Sequence, residues 1–198
     1  MNLFHRYLCR SSSWRTVLRD YVVPWVLTNG SLGSNVLELG PGHGLTTELL
    51  RQKIEHITAL EIDPELATAL AMRSEQTNVT VVHGDATAIP LKDEQFSGAV
   101  CLHMLHHVNS AELQDQLFRE VWRVLRPGGV FAGVDSLGFE RLRMRVIHWN
   151  DTCVPVDPAT VASRLERAGF RNVSVDTNAY AFRFHGQRPA KDMEQPRH

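Results

Sequence analysis

Apolar and polar positions follow two rhythms along this chain. Short β-rich runs fall at Val36–Leu39, Ile57–Ile62, Val79–Val82, Ala99–Leu102 and Val130–Val134. Stretches with helical spacing separate them. Asp63 followed by Pro64 predicts an N-cap with proline in the first turn, opening "DPELATALAMRSE". Asn109 with Glu112 predicts a capping pair ahead of Leu113, Leu117, Val121 and Val124. Asp157 and Pro158 repeat the cap, and Val161, Leu165 and Ala168 lead to Gly169 as a stop. The closing "NVSVDTNAYAFRF" predicts two strands joined by a short turn, hence an antiparallel hairpin. The expectation is an α/β fold in three layers: a doubly wound, seven-stranded, mainly parallel sheet with a C-terminal antiparallel hairpin.

Residues 1–32 stand outside this alternation. Leu18, Tyr21, Val22 and Trp25 recur at helical spacing, and Pro24 is expected to kink or end the helix. This segment should pack on a core domain at 33–188, with a polar tail at 189–198. The chain has 198 residues, 43% of them hydrophobic, enough for one ordinary core. A net charge of −1 offers no general attraction to nucleic acid or to an anionic membrane. Three separated cysteines, Cys9, Cys101 and Cys153, read as reduced thiols. With no apolar run of about 18 residues and no signal-like N-terminus, a soluble cytoplasmic protein is the expectation.

The chemistry begins at "VLELGPGHG", residues 36–44. Glycines in the first strand-to-helix turn let backbone N–H groups approach a ligand beyond the strand ends. Dinucleotide sites favour G-x-G-x-x-G, but the third position of that pattern is Leu45 here, and the spacing is G-x-G-x-G. Glu38 beside the loop would repel a pyrophosphate and attract an ammonium. Glu61 ends the second strand, where an acid can accept both hydroxyls of a ribose. Asp85 follows the third strand, placed to accept from an adenine amino group. Together these residues describe an adenosine with an amino-acid tail.

From about Gly33 to Arg188 the sequence resembles the class I S-adenosylmethionine-dependent methyltransferases, most closely the type-11 group of small bacterial enzymes. "VLELGPGHG", "ALEID" and "GDATAIP" match that family's first three motifs in order. "FSGAVCLHMLHHV" and "VWRVLRPGGVFAGVDS" look like its fourth and fifth strands, although Ser97 stands where the family often has Asp. The resemblance implies a Rossmann-like fold and S-adenosyl-L-methionine as cofactor, with S-adenosyl-L-homocysteine as product. It implies that Glu38 holds the methionine end while Gly40, Gly42 and Gly44 shape the loop. It gives Glu61 the ribose, Ile62 the adenine face, and Asp85 with Ala86 the adenine edge. Leu102 and His103 would flank the sulfonium and the substrate pocket.

His103 is the candidate general base, on the strength of an ordinary imidazole pKa near 6.5. Cys101, His103, His106 and His107 also raise a metal reading. No further donor stands at a comparable spacing, so packing and hydrogen bonding are favoured and no metal is expected. Arg141, Arg143 and Arg145, with His148 and Trp149, read as a solvated face, or else as a cover presenting arginines to an anionic substrate. Phe4, Tyr7, Trp14 and Tyr21 read mainly as packing residues, one of which could cap the pocket. The expected activity is methyl transfer to a small-molecule acceptor. The alternatives are a cofactor-binding protein without catalysis, or a nicotinamide-dependent oxidoreductase.

Overall fold

The computed structural model describes residues 11–28, 30–137 and 153–191. Its strands are β1 (Asn35–Leu39), β2 (His56–Glu61), β3 (Val79–His83), β4 (Phe96–Leu102), β5 (Leu125–Ser136), β6 (Arg171–Thr177) and β7 (Ala181–Gln187). They form one sheet in the order β3-β2-β1-β4-β5-β7-β6. The first five pair in parallel, while β7 runs antiparallel to both β5 and β6. The expected seven strands and terminal hairpin are therefore present. β1, β3, β4 and β5 are longer than their apolar runs, β2 is shifted by one residue to His56–Glu61, and β5 begins at Leu125 rather than Val130.

The helices are α1 (Ser12–Val17), α2 (Val23–Leu27), α3 (Leu45–Leu50), α4 (Pro64–Ser74), α5 (Ala111–Val124) and α6 (Pro158–Arg167). Asp63 caps α4, accepting from the amides of Glu65 and Leu66, and Asp157 caps α6 by accepting from Ala159. At α5 the expected pair is corrected. Ser110, not Asn109, is the cap, its hydroxyl accepting from the Leu113 amide. A π-helical turn, Leu18–Val22, joins α1 to α2, with Pro24 in the first turn that follows. A proline supplies no amide for the helical ladder, so a wider turn ahead of it accommodates the missing bond. Leu18, Val22, Val23 and Val26 are buried, but Tyr21 is 71% exposed and is not a packing residue. Phe4, Tyr7, Cys9 and the arginine segment Arg141–Arg145 lie outside the described residues.

Period-2 alternation explains why the parallel strands read as continuous apolar runs: each face meets a helical layer. Leu37, Leu39, Ala99, Cys101 and Phe131 face α5 and α6, joining Leu117, Phe118, Val161 and Leu165. Val36, Ile57, Val100, Ala132 and Val134 face the other way, against the N-terminal helices and α3. Phe131 sits at the centre of the first layer, its ring centroid 5.1 Å from Phe184 and 5.7 Å from Phe170. Gly133 makes that packing possible. A Cβ there would run into the Phe184 ring and come within 2.7 Å of the Cys101 carbonyl.

The strand order reverses between β1 and β4, which both leave the sheet toward the same rim. That switch point fixes where a ligand crevice opens. Among the described residues, no helix is long and apolar enough to cross a membrane.

Candidate active site

A cavity of about 620 Å³ opens beyond the carboxyl ends of β1 to β4, within the range of small-molecule sites. Its floor is the loop after β1. Gly40, Gly42 and Gly44 have φ of 62°, 55° and 76°, left-handed values that a side chain would strain. They differ in what surrounds them. A Cβ at Gly40 would strike the Met104 side chain, and one at Gly44 would meet Leu70 Cδ1 at 2.5 Å. A Cβ at Gly42 would project into open space. Gly42 therefore leaves open space on the cavity side of the loop, while Gly44, the N-cap position of α3, packs behind the wall.

Glu61, at the end of β2, is 5% exposed and lines the cavity. Its Oε2 accepts from the Gly42 amide at 2.8 Å and its Oε1 from the Asp63 amide at 3.0 Å. These bonds staple the glycine loop to the neighbouring strand and hold the carboxylate still. Each oxygen retains a second lone pair for a ligand hydroxyl. Ile62 follows, 62% exposed beside the cavity, where it offers an apolar face. Across from it, Asp85 accepts at Oδ1 from both the Thr87 amide and hydroxyl, each at 2.8 Å, and Ala86 completes that edge.

Glu38 is not on the cavity wall. It lies behind the loop on the face of β1 toward α3, 1% exposed, with Oε1 accepting from the Thr46 hydroxyl. Its Oε2 is buried without a hydrogen-bond partner among the described residues. Burial, reinforced by the nearby Glu61 charge, pushes this carboxyl up to about 7 against the opposing influence of the Thr46 and Thr47 hydroxyls. Thr46 does line the cavity, so it stands between Glu38 and the ligand space. Leu102 is also set back, buried in the apolar layer under the N-terminal helices.

His103, just past β4, adopts φ 53° and lines the cavity. Its Nδ1 meets the Ser136 hydroxyl at 3.0 Å, and Trp14 from α1 stands edge-on at 5.3 Å. The buried Nε2 has no hydrogen-bond partner among the described residues. Burial pushes the imidazole down to about 4, correcting the ordinary value near 6.5 that made it attractive as a base. His103 is thus neutral at physiological pH. In the tautomer whose Nδ1–H donates to Ser136, Nε2 presents a lone pair.

The other histidines are arranged differently from their spacing. His106 Nδ1 meets Asp135 Oδ1 at 2.5 Å, and Asp135 Oδ2 accepts the His106 amide at 2.9 Å. Burial alone would raise Asp135, but the charge and hydrogen bonds of His106 outweigh it and hold the carboxyl below its usual range. Cys153 Sγ lies 3.9 Å from His107 Nδ1. Sequence reasoning missed Thr46, Ser136, Asp135 and Cys153. An acid at the end of the apolar "VFAGVD" run was the one available signal.

A doubly wound sheet whose switch point opens onto a glycine loop and strand-end acids is the architecture of a nucleoside-binding protein. The family model described as "Methyltransferase domain" matches residues 37–133, from β1 through most of β5. A Mycolicibacterium smegmatis protein named as a probable S-adenosylmethionine-dependent methyltransferase is 33% identical over 113 residues, 57% of this chain and 42% of that protein. The ubiquinone biosynthesis O-methyltransferase of Pseudomonas entomophila is 28% identical over 133 residues, 64% of this chain and 56% of the enzyme. The chain thus matches less than two thirds of the length of these relatives. A solved S-adenosylmethionine-dependent methyltransferase from Aquifex aeolicus superposes with a TM-score of 0.66 at 20% identity, covering 90% of this chain and 98% of that one. Residues 37–133 thus match a methyltransferase domain, and the relatives and the fold together support a class I S-adenosylmethionine-dependent methyltransferase.

Proposed function

We propose that the chain transfers a methyl group from S-adenosyl-L-methionine to a small acceptor. The observation that carries this reading is the charge of the cavity. Among the described residues its wall holds Glu61, Asp63 and Asp85 and no lysine or arginine. A dinucleotide pyrophosphate would meet acids with no cation to offset them, whereas a cationic adenosyl ligand is attracted. This speaks against the nicotinamide alternative.

The residues fit such a cofactor. Glu61 would accept from the ribose hydroxyls, Ile62 would cover the adenine face, and Asp85 with the Ala86 backbone would read the adenine edge. Gly42 leaves room for the chain of the ligand, and the methionine ammonium would satisfy the buried Glu38 through Thr46 or an intervening water. The bound cofactor supplies an activated methyl group. The protein's task is to hold an acceptor lone pair in line with it, and positioning of this kind lowers a barrier by up to roughly 7–11 kcal/mol. His103 and Trp14 define the acceptor end. Neutral His103 offers Nε2 to an acceptor proton, and its depressed basicity makes it chiefly a hydrogen-bonding and orienting group.

Incubating the protein with methyl-labelled cofactor and fractionated metabolites tests the proposal. Label should pass to a low-molecular-weight product, in step with formation of S-adenosyl-L-homocysteine. Cofactor binding without transfer to any fraction would favour a binding protein instead.

A further inference from the structure

We infer that His106, His107 and Cys153 form a binding site for a zinc-class divalent ion at the acceptor end of the cavity. One ligand atom from each of the three lies within 4.8 Å of the others. The chain builds this cluster from separate elements. A 3₁₀ turn, Leu105–His107, supplies the two imidazoles, whose ring centroids are 4.2 Å apart. Cys153 arrives from far along the sequence and is held in place by its neighbour. The Val154 amide donates to the His106 carbonyl at 2.8 Å, and the buried Gln114 donates from Nε2 to the carbonyls of Leu105 and Val154.

A second observation favours a ligand here. The Asp135 carboxylate takes Nδ1 of His106, which fixes the ring and leaves Nε2 as the nitrogen that would coordinate. A carboxylate behind a histidine is the usual outer shell of a metal-bound imidazole. One edge of the cluster is already near the length it would have around an ion, and the others need only a small closure within the 4.8 Å limit. Tetrahedral zinc places a thiolate sulfur and an imidazole nitrogen about 3.5 Å apart, against 3.9 Å between Cys153 Sγ and His107 Nδ1. Two imidazoles and a thiolate select zinc-like ions over magnesium or calcium. Cys101 is no rival ligand, being fully buried in the apolar layer.

Three protein ligands leave a fourth position, and His107 is part of the cavity wall. An acceptor hydroxyl or thiol bound there would release its proton to solvent. Its lone pair would then form the bond to the methyl carbon as the carbon–sulfur bond breaks with its electrons on sulfur. That catalytic role rests on the proposed methyl transfer; binding of the ion does not.

Cobalt(II) titration of the reduced, tag-free and chelator-stripped protein tests the site. One ion per chain should bind with a thiolate-to-cobalt charge-transfer band, and zinc should displace it. Cys153→Ser should abolish the band, Cys9→Ser should keep it, and His107→Ala should weaken binding at least tenfold. Asp135→Asn, which acts only through His106, should cost about 10–100-fold in affinity. Binding by Cys153→Ser and His107→Ala equal to the parent, or no binding at millimolar zinc, would overturn the site. A melting shift with S-adenosyl-L-homocysteine, measured on the same stripped protein, separates the two readings. A shift without metal binding leaves methyl transfer standing alone, and metal binding without a shift does the reverse.

Discussion

Replacing Glu38 by Gln should stabilise the empty protein at alkaline pH and weaken its hold on the cofactor. The carboxyl is buried with one oxygen unpartnered, and burial raises it from 4.5 to about 7. Between those values the folded protein keeps a proton that the unfolded chain has lost, so folding stability falls as pH rises through the window. A displacement of that size corresponds to about 3 kcal/mol above pH 7. For a chain of this length, that is on the order of 10 °C in melting temperature. Gln is nearly isosteric and cannot ionise. The difference between variant and parent should therefore be small at pH 4.5 and grow steadily to pH 8. Thermal melts across this range read it directly, and the trend is independent of any constant packing cost of the amide. S-adenosyl-L-homocysteine, whose ammonium favours an ionised Glu38, should raise the parent's melting temperature much more than the variant's. A difference that does not vary with pH, or an undiminished response to the ligand, would refute the reasoning.

Other outcomes follow from the same geometry. Gly42→Ala should cost about 1–2 kcal/mol of stability through its left-handed backbone, yet lower S-adenosyl-L-homocysteine affinity more than tenfold in calorimetry, because its Cβ enters the ligand space. His103→Gln should reduce kcat by about 10²-fold, the scale of a misplaced acceptor. The parent's pH–rate profile should show no inflection from His103 near 6.5, since the imidazole stays neutral down to about 4. Its low value means that the folded protein binds fewer protons than the unfolded chain between pH 4 and 6.5. This contribution to stability therefore rises with pH over that window, opposite in sign to that of Glu38. Phe131→Ala should lose about 3–5 kcal/mol in urea unfolding, since the ring lies at the centre of a fully buried layer.

Local chemistry made much of the architecture legible. Asp63-Pro64 and Asp157-Pro158 announce helix starts because the cap bonds involve residues two or three apart. The glycine loop and the acids at Glu61 and Asp85 fall at fixed distances from strand ends, so an alternating pattern is enough to place them on one rim. Ser110 was missed at α5 because Asn109 and Ser110 are both good caps, and packing of the following stripe decides between them. The setting of Glu38 behind Thr46 depends on which face of β1 meets α3, and a one-residue register carries that information. Long-range partners left no local trace. Asp135 reaches His106 across two neighbouring strands, and Cys153 meets His107 only in the folded chain, where its neighbour Val154 bonds to His106 and to Gln114 of α5. Even the pKa of His103 is a property of its enclosure, which its own sequence neighbours do not encode.

An adenosyl cation, not a dinucleotide, is expected at the rim of the sheet. Calorimetric titration of the purified chain with S-adenosyl-L-homocysteine and, separately, with NAD tests it directly. One saturable site for S-adenosyl-L-homocysteine, lost on Glu61→Ala, is expected, with no heat of binding from NAD. Saturation by NAD with none by S-adenosyl-L-homocysteine would contradict it.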